Sequence, residues 1–415
     1  MALSDLPDDL LRRILHFTPA KEAASTTALA QRWRSLWPSS GAVNLDFFSY
    51  SSRNQCSAFF HGAEAALAAS RAPIRRLNFH LEGLTHTKHR MRQTVPFYPV
   101  LDTVLSRPAA RHVEELRVTA SHGQVRVPNL SIRSLPFESL RVLDISTCNW
   151  LPLKPAELEL PRLEAMRLHR CDIRAKDLQA MIDRAQLLTT LQLHEVHLVG
   201  PCKRIRCPRV TTLVLADLDW RESSSWRGGM ELDVPMLRSF RYRGFLRRFL
   251  LEPPATKMLA NVDLDFVGDN EHRHAHEDSC RLFWQFVNNF SNVKTLKLKL
   301  VHLEHIIMDD KSKTAKFYTQ GGDTLFINLH RLDLQAFYTL GRKAGGVAFA
   351  NFLHCCPVIR FCGLELSTVD GNPFKRASHV QDLLDEEGKL DLCKSVDRFI
   401  RLGGDFLDGE HDFLE

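Results

Sequence analysis

The chain has 415 residues, 44% hydrophobic and 25% charged, with a formal net charge of +6. This composition fits a folded polypeptide and excludes wholesale disorder, a collagen-like repeat and a disulfide miniprotein. The charge is uneven, because residues 370–415 hold 6 basic and 12 acidic side chains and so leave +12 on residues 1–369. Ten cysteines without regular spacing do not read as a secreted disulfide framework. The acidic start Met1–Asp9 lacks the basic-then-apolar order of a secretory signal, and no apolar run approaches the roughly 18 residues of a membrane span. The expectation is a reduced intracellular protein, cytoplasmic and/or nuclear, without a membrane partner.

Residues 1–45 read as three short helices. Ser4 or Asp5 can cap the first, Pro7 suits its opening turn, and Asp8 and Asp9 favour the positive end of its dipole. Apolar residues follow at Leu6, Leu10, Leu11, Ile14, Leu15 and Phe17, which is helical spacing, and Pro19 stops the run. A second helix is expected over Lys21–Gln31, and a third over Arg32–Trp37, before Pro38. So small a unit buries little apolar surface alone and invites a partner. Residues 46–72 read as a packed connector holding Phe47, Phe48, Tyr50, Phe59 and Phe60, with an Ala-rich helix at Ala63–Ala69.

From about residue 73 to 370 one pattern recurs: apolar-x-x-apolar-x-apolar. It appears at Ile74-Leu77-Phe79, Val113-Leu116-Val118, Leu140-Leu143-Ile145, Leu163-Met166-Leu168, Leu188-Leu191-Leu193 and Val210-Leu213-Leu215. It continues at Leu237-Phe240-Tyr242, Leu259-Val262-Leu264, Val293-Leu296-Leu298, Leu329-Leu332-Leu334 and Phe361-Leu364-Leu366. The middle residues lie 22 to 39 apart, and the central intervals match a leucine-rich repeat. Longer intervals imply insertions or helices. Each repeat offers one short strand that buries its inner face only against its neighbours. Cys148 and Cys171 stand where the repeat consensus has Cys, and Pro161, Pro208 and Pro235 suit tight turns ahead of strands. Polar loops are expected at Arg221–Gly229, Gly268–Ser279 and Asp309–Asp323. Residues 371–415 read as an acidic C-terminal cap or tail.

Leu6-Pro7-Asp8-Asp9-Leu10-Leu11-Arg12-Arg13-Ile14-Leu15, Ala24–Leu29 and Arg32-Trp33-Arg34-Ser35-Leu36-Trp37 together resemble an F-box of the plant type. With the repeats behind it, the chain resembles the plant F-box/leucine-rich-repeat (F-box/LRR) family. That resemblance implies an α+β protein: a short three-helix F-box followed by an irregular leucine-rich-repeat solenoid with a parallel concave sheet. It implies a non-catalytic substrate-recognition subunit of a Skp1-cullin-F-box (SCF) ubiquitin ligase. The F-box would dock on a Skp1-type adaptor, and through it a cullin, while the repeats hold a target. Leu6, Pro7, Leu10, Leu11, Ile14 and Leu15 would form the adaptor-facing or core stripe, with Trp33, Leu36 and Trp37 locking the third helix. The alternatives are a repeat scaffold without a ubiquitin role and a small-molecule co-receptor.

The residue between the last two apolar positions of each triplet should face the concave surface. These are Asn78, Arg117, Asp144, Arg167, Gln192, Val214, Arg241, Asp263, Lys297, Asp333 and Glu365, with Arg243 and Lys299 beside them. Arg117, Arg167, Gln192, Arg241, Arg243, Lys297 and Lys299 are the candidate target contacts, and their basic weight suggests an acidic or phosphorylated target. Interleaved aromatics are missing, so nucleic acid is not favoured. No phosphate loop, Gly-x-Ser-x-Gly elbow, Cys-x-x-Cys or His-Glu-x-x-His occurs. His272, His274 and His276 with Glu271, Glu277 and Asp278 read as a solvated loop rather than a zinc site. No catalytic residue, metal or cofactor is expected.

Overall fold

The computed structural model describes residues 6–49, 55–81, 103–120, 127–130, 138–146, 148–150, 159–219, 229–252, 258–268, 276–301, 303–306, 326–338, 352–353, 355–368 and 405–407. The chain mixes helix and parallel strand and forms two compact units. The first holds Met1–Pro201 and Leu218–Arg221, the second Cys202–Asp217 and Glu222–Glu415. This boundary falls inside the expected repeat region.

The first unit opens with α1 (Asp8–Leu15), α2 (Ala20–Ser25) and α3 (Trp33–Leu36). Pro7 precedes α1 instead of lying in its first turn, and α1 has no side-chain cap; Ser4 and Asp5 lie outside the described residues. The second helix is shorter than expected. The hydroxyls of Ser25, Thr26 and Thr27 donate to the carbonyls of Glu22, Ala23 and Ala24, and Thr26–Ala28 tightens into a 3-10 turn. Such back-bonding competes with the regular ladder and favours the tighter turn. The Ala-rich run lies in α4 (Gln55–Ala69), with Phe59 buried against Phe47 at 5.5 Å between ring centroids.

The strands of this unit are β1 (Ala42–Asp46), β2 (Arg76–Leu81), β3 (Glu115–Ala120), β4 (Val127–Leu130), β5 (Val142–Ser146), β6 (Cys148–Trp150), β7 (Ala165–His169), β8 (Asp172–Arg174), β9 (Thr190–His194) and β10 (His197–Val199). Strands β1, β2, β3, β5, β7 and β9 pair in that order, all parallel. Strands β4, β6, β8 and β10 form a second sheet, and α5 (Ala175–Arg184) lies between β8 and β9. Leu77, Leu116, Leu143, Met166 and Leu191 stand in one fully buried row, with Phe79, Val118, Ile145, Leu168 and Leu193 in the next. Burying one such side chain contributes roughly 1.5–3 kcal/mol, so the two rows dominate this core. The Leu160–Leu163 and Val234–Leu237 turns place Pro161 and Pro235 second, where a fixed φ suits a turn. Cys171 is buried, its thiol 3.3 Å from the His169 carbonyl.

In the second unit the strands are β11 (Arg204–Arg206), β12 (Thr212–Ala216), β13 (Met230–Asp233), β14 (Ser239–Gly244), β15 (Phe249–Leu251), β16 (Asn261–Phe266), β17 (Thr295–Leu300), β18 (Arg331–Tyr338), β19 (Phe361–Thr368) and β20 (Asp405–Leu407). The parallel order is β12, β14, β16, β17, β18, β19, β20, with β11, β13 and β15 in a smaller sheet. The long interval from Val262 to Leu296 accommodates α6 (His276–Val287), so the expected loop Gly268–Ser279 ends in a helix. Phe286 of α6 packs 4.9 Å from both Tyr242 and Phe249. The buried Tyr242 hydroxyl donates to the Phe245 carbonyl at 2.6 Å. Asn289 covers the edge of β15: its Oδ1 accepts from Leu251 N at 2.8 Å, and its Nδ2 donates to Phe249 O at 3.1 Å.

The short strands β4, β6, β8, β10, β11, β13 and β15 lie outside the triplet pattern; among the longer parallel rows two strands escape it and one is displaced. In β1, Val43 and Leu45 are buried, but Ser40 stands where the first apolar residue is expected. In β20, Phe406 lies opposite Cys362, with Gly403 at the corresponding place. In β19, Cys362 lies opposite Leu332 and Leu364 opposite Leu334. The last triplet is therefore Ile359-Cys362-Leu364. Taking it as Phe361-Leu364-Leu366 shifts the register by two residues and places the exposed Phe361 inside.

Candidate functional site

The stripe of the first helix divides into two faces. Leu11 and Leu15 are buried, together with Trp33, Leu36 and Trp37, so these five form the core of the helical module. Leu10 and Ile14, four residues apart on one face, are 47% and 45% exposed. Leu6 is half-buried and Pro7 exposed. Phe17 and Leu29 are exposed as well, and Leu29 was not singled out by its spacing. Arg32 fixes the start of α1, its Nε 2.6 Å from Asp8 Oδ1 and its NH2 group 2.6 Å from the Leu6 carbonyl.

This module is bonded to the sheet of its own unit. Asn44 of β1 is buried, and its Nδ2 donates to the carbonyls of His16 at 2.8 Å and Thr18 at 3.0 Å. Asn44 shares its row with Asn78 and Arg117, so the end of α1 covers the first outward position of the sheet. One strand further, the Arg76 guanidinium lies 4.9 Å from the Phe17 ring centroid. Burial, with the Arg117 charge behind it, lowers the Arg76 pKa, while Glu115 opposes the shift.

The outward rows of both units are mixed in charge. In the first, register places Asn78, Arg117, Asp144, Arg167 and Gln192 side by side, and Arg117 lies 3.8 Å from Glu115. In the second, Val214, Arg241, Asp263, Lys297 and Asp333 form one row, and Arg243, Asp265, Lys299 and Gln335 the next. Arg241 contacts Asp263 at 2.9 Å, Arg243 contacts Asp217 at 3.3 Å and Asp265 at 3.8 Å, and Lys299 reaches Asp265 at 3.9 Å. Each basic residue of these two rows thus has an acid on a neighbouring strand, which the one-dimensional spacing conceals. Val214 is buried, and Gly363 rather than Glu365 continues the row from Asp333.

A second feature that spacing could not reveal is a left-handed residue directly after β7, β9 and β12. Arg170, Glu195 and Asp217 have φ near +50° (53°, 50° and 50°), a conformation costing roughly 1–2 kcal/mol in a non-glycine residue. Arg170 and Glu195 form a two-point ion pair at 2.7 and 3.2 Å that binds successive turns. Among the described residues no group of three or more His, Cys, Asp or Glu could hold a metal, and no helix is long and apolar enough to cross a membrane. His272 and His274 lie outside the described residues.

Residues 3–41 match the F-box domain family model, and residues 101–240 match that of the FBD-associated F-box protein At5g56370, LRR repeats. Both are interaction modules, and no enzyme family is indicated. The Arabidopsis thaliana F-box protein At3g44060 is 27% identical over 342 residues, which is 79% of this chain and 71% of that protein. The A. thaliana F-box/FBD/LRR-repeat protein At5g56420 is 24% identical over 272 residues, covering 63% and 60%. A third relative, F-box/FBD/LRR-repeat protein At4g26340 of the same plant, is 26% identical over 176 residues, covering 41% and 38%. The chain therefore spans less than two thirds of the second and third of these proteins. With its N-terminal F-box, its FBD-associated repeat sequence and these relatives, the chain is related to the plant F-box/leucine-rich-repeat proteins.

Proposed function

We propose that the chain is the substrate-recognition subunit of an SCF ubiquitin ligase, acting in the cytosol or nucleus. An F-box with repeat sequence makes it a protein-interaction adaptor. In this reading the three short helices dock on a Skp1-type adaptor and thereby a cullin, and the parallel sheets are the concave faces of an irregular leucine-rich-repeat solenoid that holds the target. The rows bearing Arg117, Arg167 and Gln192, and separately Arg241, Arg243, Lys297 and Lys299, are the proposed target contacts. Their mixed charge suits a target presenting both signs. The chain supplies proximity, and the nucleophilic chemistry belongs to other subunits.

The observation that carries this reading is the split stripe of α1. Leu11 and Leu15 hold the module together, while Leu10 and Ile14 leave two aliphatic side chains in solvent within a matched F-box. A few apolar anchors of this kind supply most of the energy of a helix-in-groove interface. The test is binding of the full chain to a purified Skp1-type adaptor, beside a Leu10→Asp/Ile14→Asp variant. Both positions are exposed, so far-UV circular dichroism should stay unchanged while binding is lost. No binding by the intact chain at roughly tens of micromolar, or equal binding by the variant, overturns the ligase reading. A scaffold without a ubiquitin role then remains.

A further inference from the structure

The backbone ladder extends each sheet by one residue beyond the starts of its strands. In the first unit this leading row is Arg75, Glu114, Arg141, Glu164 and Thr189, each amide donating to the carbonyl of the residue before it at 2.7–2.9 Å. Its charges alternate, and Arg75–Glu114 at 3.7 Å, Arg141–Glu114 at 3.9 Å and Arg141–Glu164 at 2.9 Å neutralise one another. In the second unit the same ladder runs through Thr211, Arg238, Ala260, Lys294, His330 and Arg360 at 2.8–3.0 Å. This row contains no acid. Arg238, Lys294 and Arg360 are exposed, and among the described residues none of the three has a carboxylate in ion-pair range.

The turns that lead into this row add a second signal. Two residues before Arg238, Ala260 and Arg360 stand Met236, Met258 and Val358, and Ile327 lies three before His330; all four are exposed. Between the two rows Leu237, Leu259, Val293, Leu329 and Ile359 are buried and hold both rows in place. At the equivalent positions the first unit carries Pro73, His112, Ser139, Arg162 and Leu187, of which only Leu187 is a large exposed aliphatic. The contrast separates this edge from an ordinary solvated sheet end.

We propose that the leading edge of the second unit is a docking surface for an extended acidic segment of a partner protein, in which aliphatic residues alternate with carboxylates. Charge complementarity selects the occupant: three cations and His330 have no acid beside them among the described residues and adjoin a line of four exposed aliphatics. At about 4.8 Å per strand the row from Arg238 to Arg360 spans about 19 Å, the length of roughly six extended residues. Alternate side chains of an extended peptide point to opposite sides, so one set reaches the cations while the other covers Met236, Met258, Ile327 and Val358. Duplex nucleic acid would satisfy the cations but leave the aliphatics uncovered. The surface does not depend on adaptor binding by α1, so its failure and that of the ligase reading are read separately.

The experiment is fluorescence anisotropy on the full chain with a labelled peptide of four Glu-Leu repeats. A Lys-Leu peptide and a single-stranded oligothymidine serve as comparators. The Glu-Leu peptide should bind, weaken with added salt, and bind roughly tenfold more weakly to an R238S/K294S/R360S variant. An R75S/R141S variant on the first unit should bind as the parent does. An R238K/R360K variant, which keeps the charge, should retain affinity and shows that loss in the triple variant is not a folding defect. Equal binding by the triple variant overturns the proposal, as does stronger binding of the oligonucleotide than of the Glu-Leu peptide.

Discussion

Asn44 gives the sharpest prediction of how the helical module is joined to its sheet. Its amide donates to two carbonyls, of His16 and Thr18, at the point where α1 has ended. Asn44→Ala removes both bonds and leaves two acceptors without their partner. At a net value near 1 kcal/mol per bond, with some desolvation penalty, the expected cost is about 2–3 kcal/mol. Asn44→Asp should cost more than the alanine change, because a buried carboxylate would then face two carbonyl oxygens. Hydrogen–deuterium exchange resolved by peptide is the assay, since loss should fall on residues 8–18 before the remainder of the unit. The second unit should exchange as in the parent. If Asn44→Asp leaves protection of α1 within the range of the parent, the module is held by other contacts and the reasoning fails.

Two further outcomes follow from the second unit. Asn289→Ala should cost about 1–3 kcal/mol and raise exchange at Leu251, whose amide loses its acceptor; unchanged protection there would refute the edge-covering role. Burial and the Asp333 charge push the Cys362 thiol up to about 12, and burial with its neighbours Cys355 and Cys362 holds Cys356 well above the usual range. The folded state therefore keeps the Cys362 proton after the unfolded state has lost it, and stability falls as pH rises from about 9 towards 12. At pH 10 the Cys362 contribution is about 1 kcal/mol, seen as a lower melting temperature than at pH 8 that Cys362→Ala reduces.

Much of this architecture was legible in the chain because its rows are apolar and regular. The strands that followed the Leu-rich triplet were found, including the row through Leu116, Leu143 and Leu191. In the longer rows, β1 and β20 were missed because Ser40 and Gly403 stand where an apolar residue is expected, and β19 was found two residues out of register because Cys362 replaces its middle leucine. The left-handed turn residues carry no glycine to mark them, so Arg170, Glu195 and Asp217 appeared as ordinary charges. At the candidate site, helical spacing identified the stripe of α1 but not which half of it the core would take. Leu10 and Leu11 are adjacent in sequence, and only packing against α3 separates them. The ion pairs of the sheet rows were not legible for the same reason, since Asp217, directly after β12, and Asp265 of β16 both approach Arg243.

The register of the second unit is kept although its connections differ greatly in length. The chain takes 27 residues from Leu213 to Phe240, 22 to Val262, 34 to Leu296 and 36 to Leu332, yet each lands opposite its neighbour. The ladder of amides sets the phase, and the connection merely has to be long enough to return. Insertions such as the one holding α6 thus enlarge the Tyr242 side of the sheet without a phase error on the side of Arg241. The sheet behaves as a ruler graduated in steps of about 4.8 Å. Its graduations survive rewriting of the text between them, and one more strand would lengthen it by a single known division.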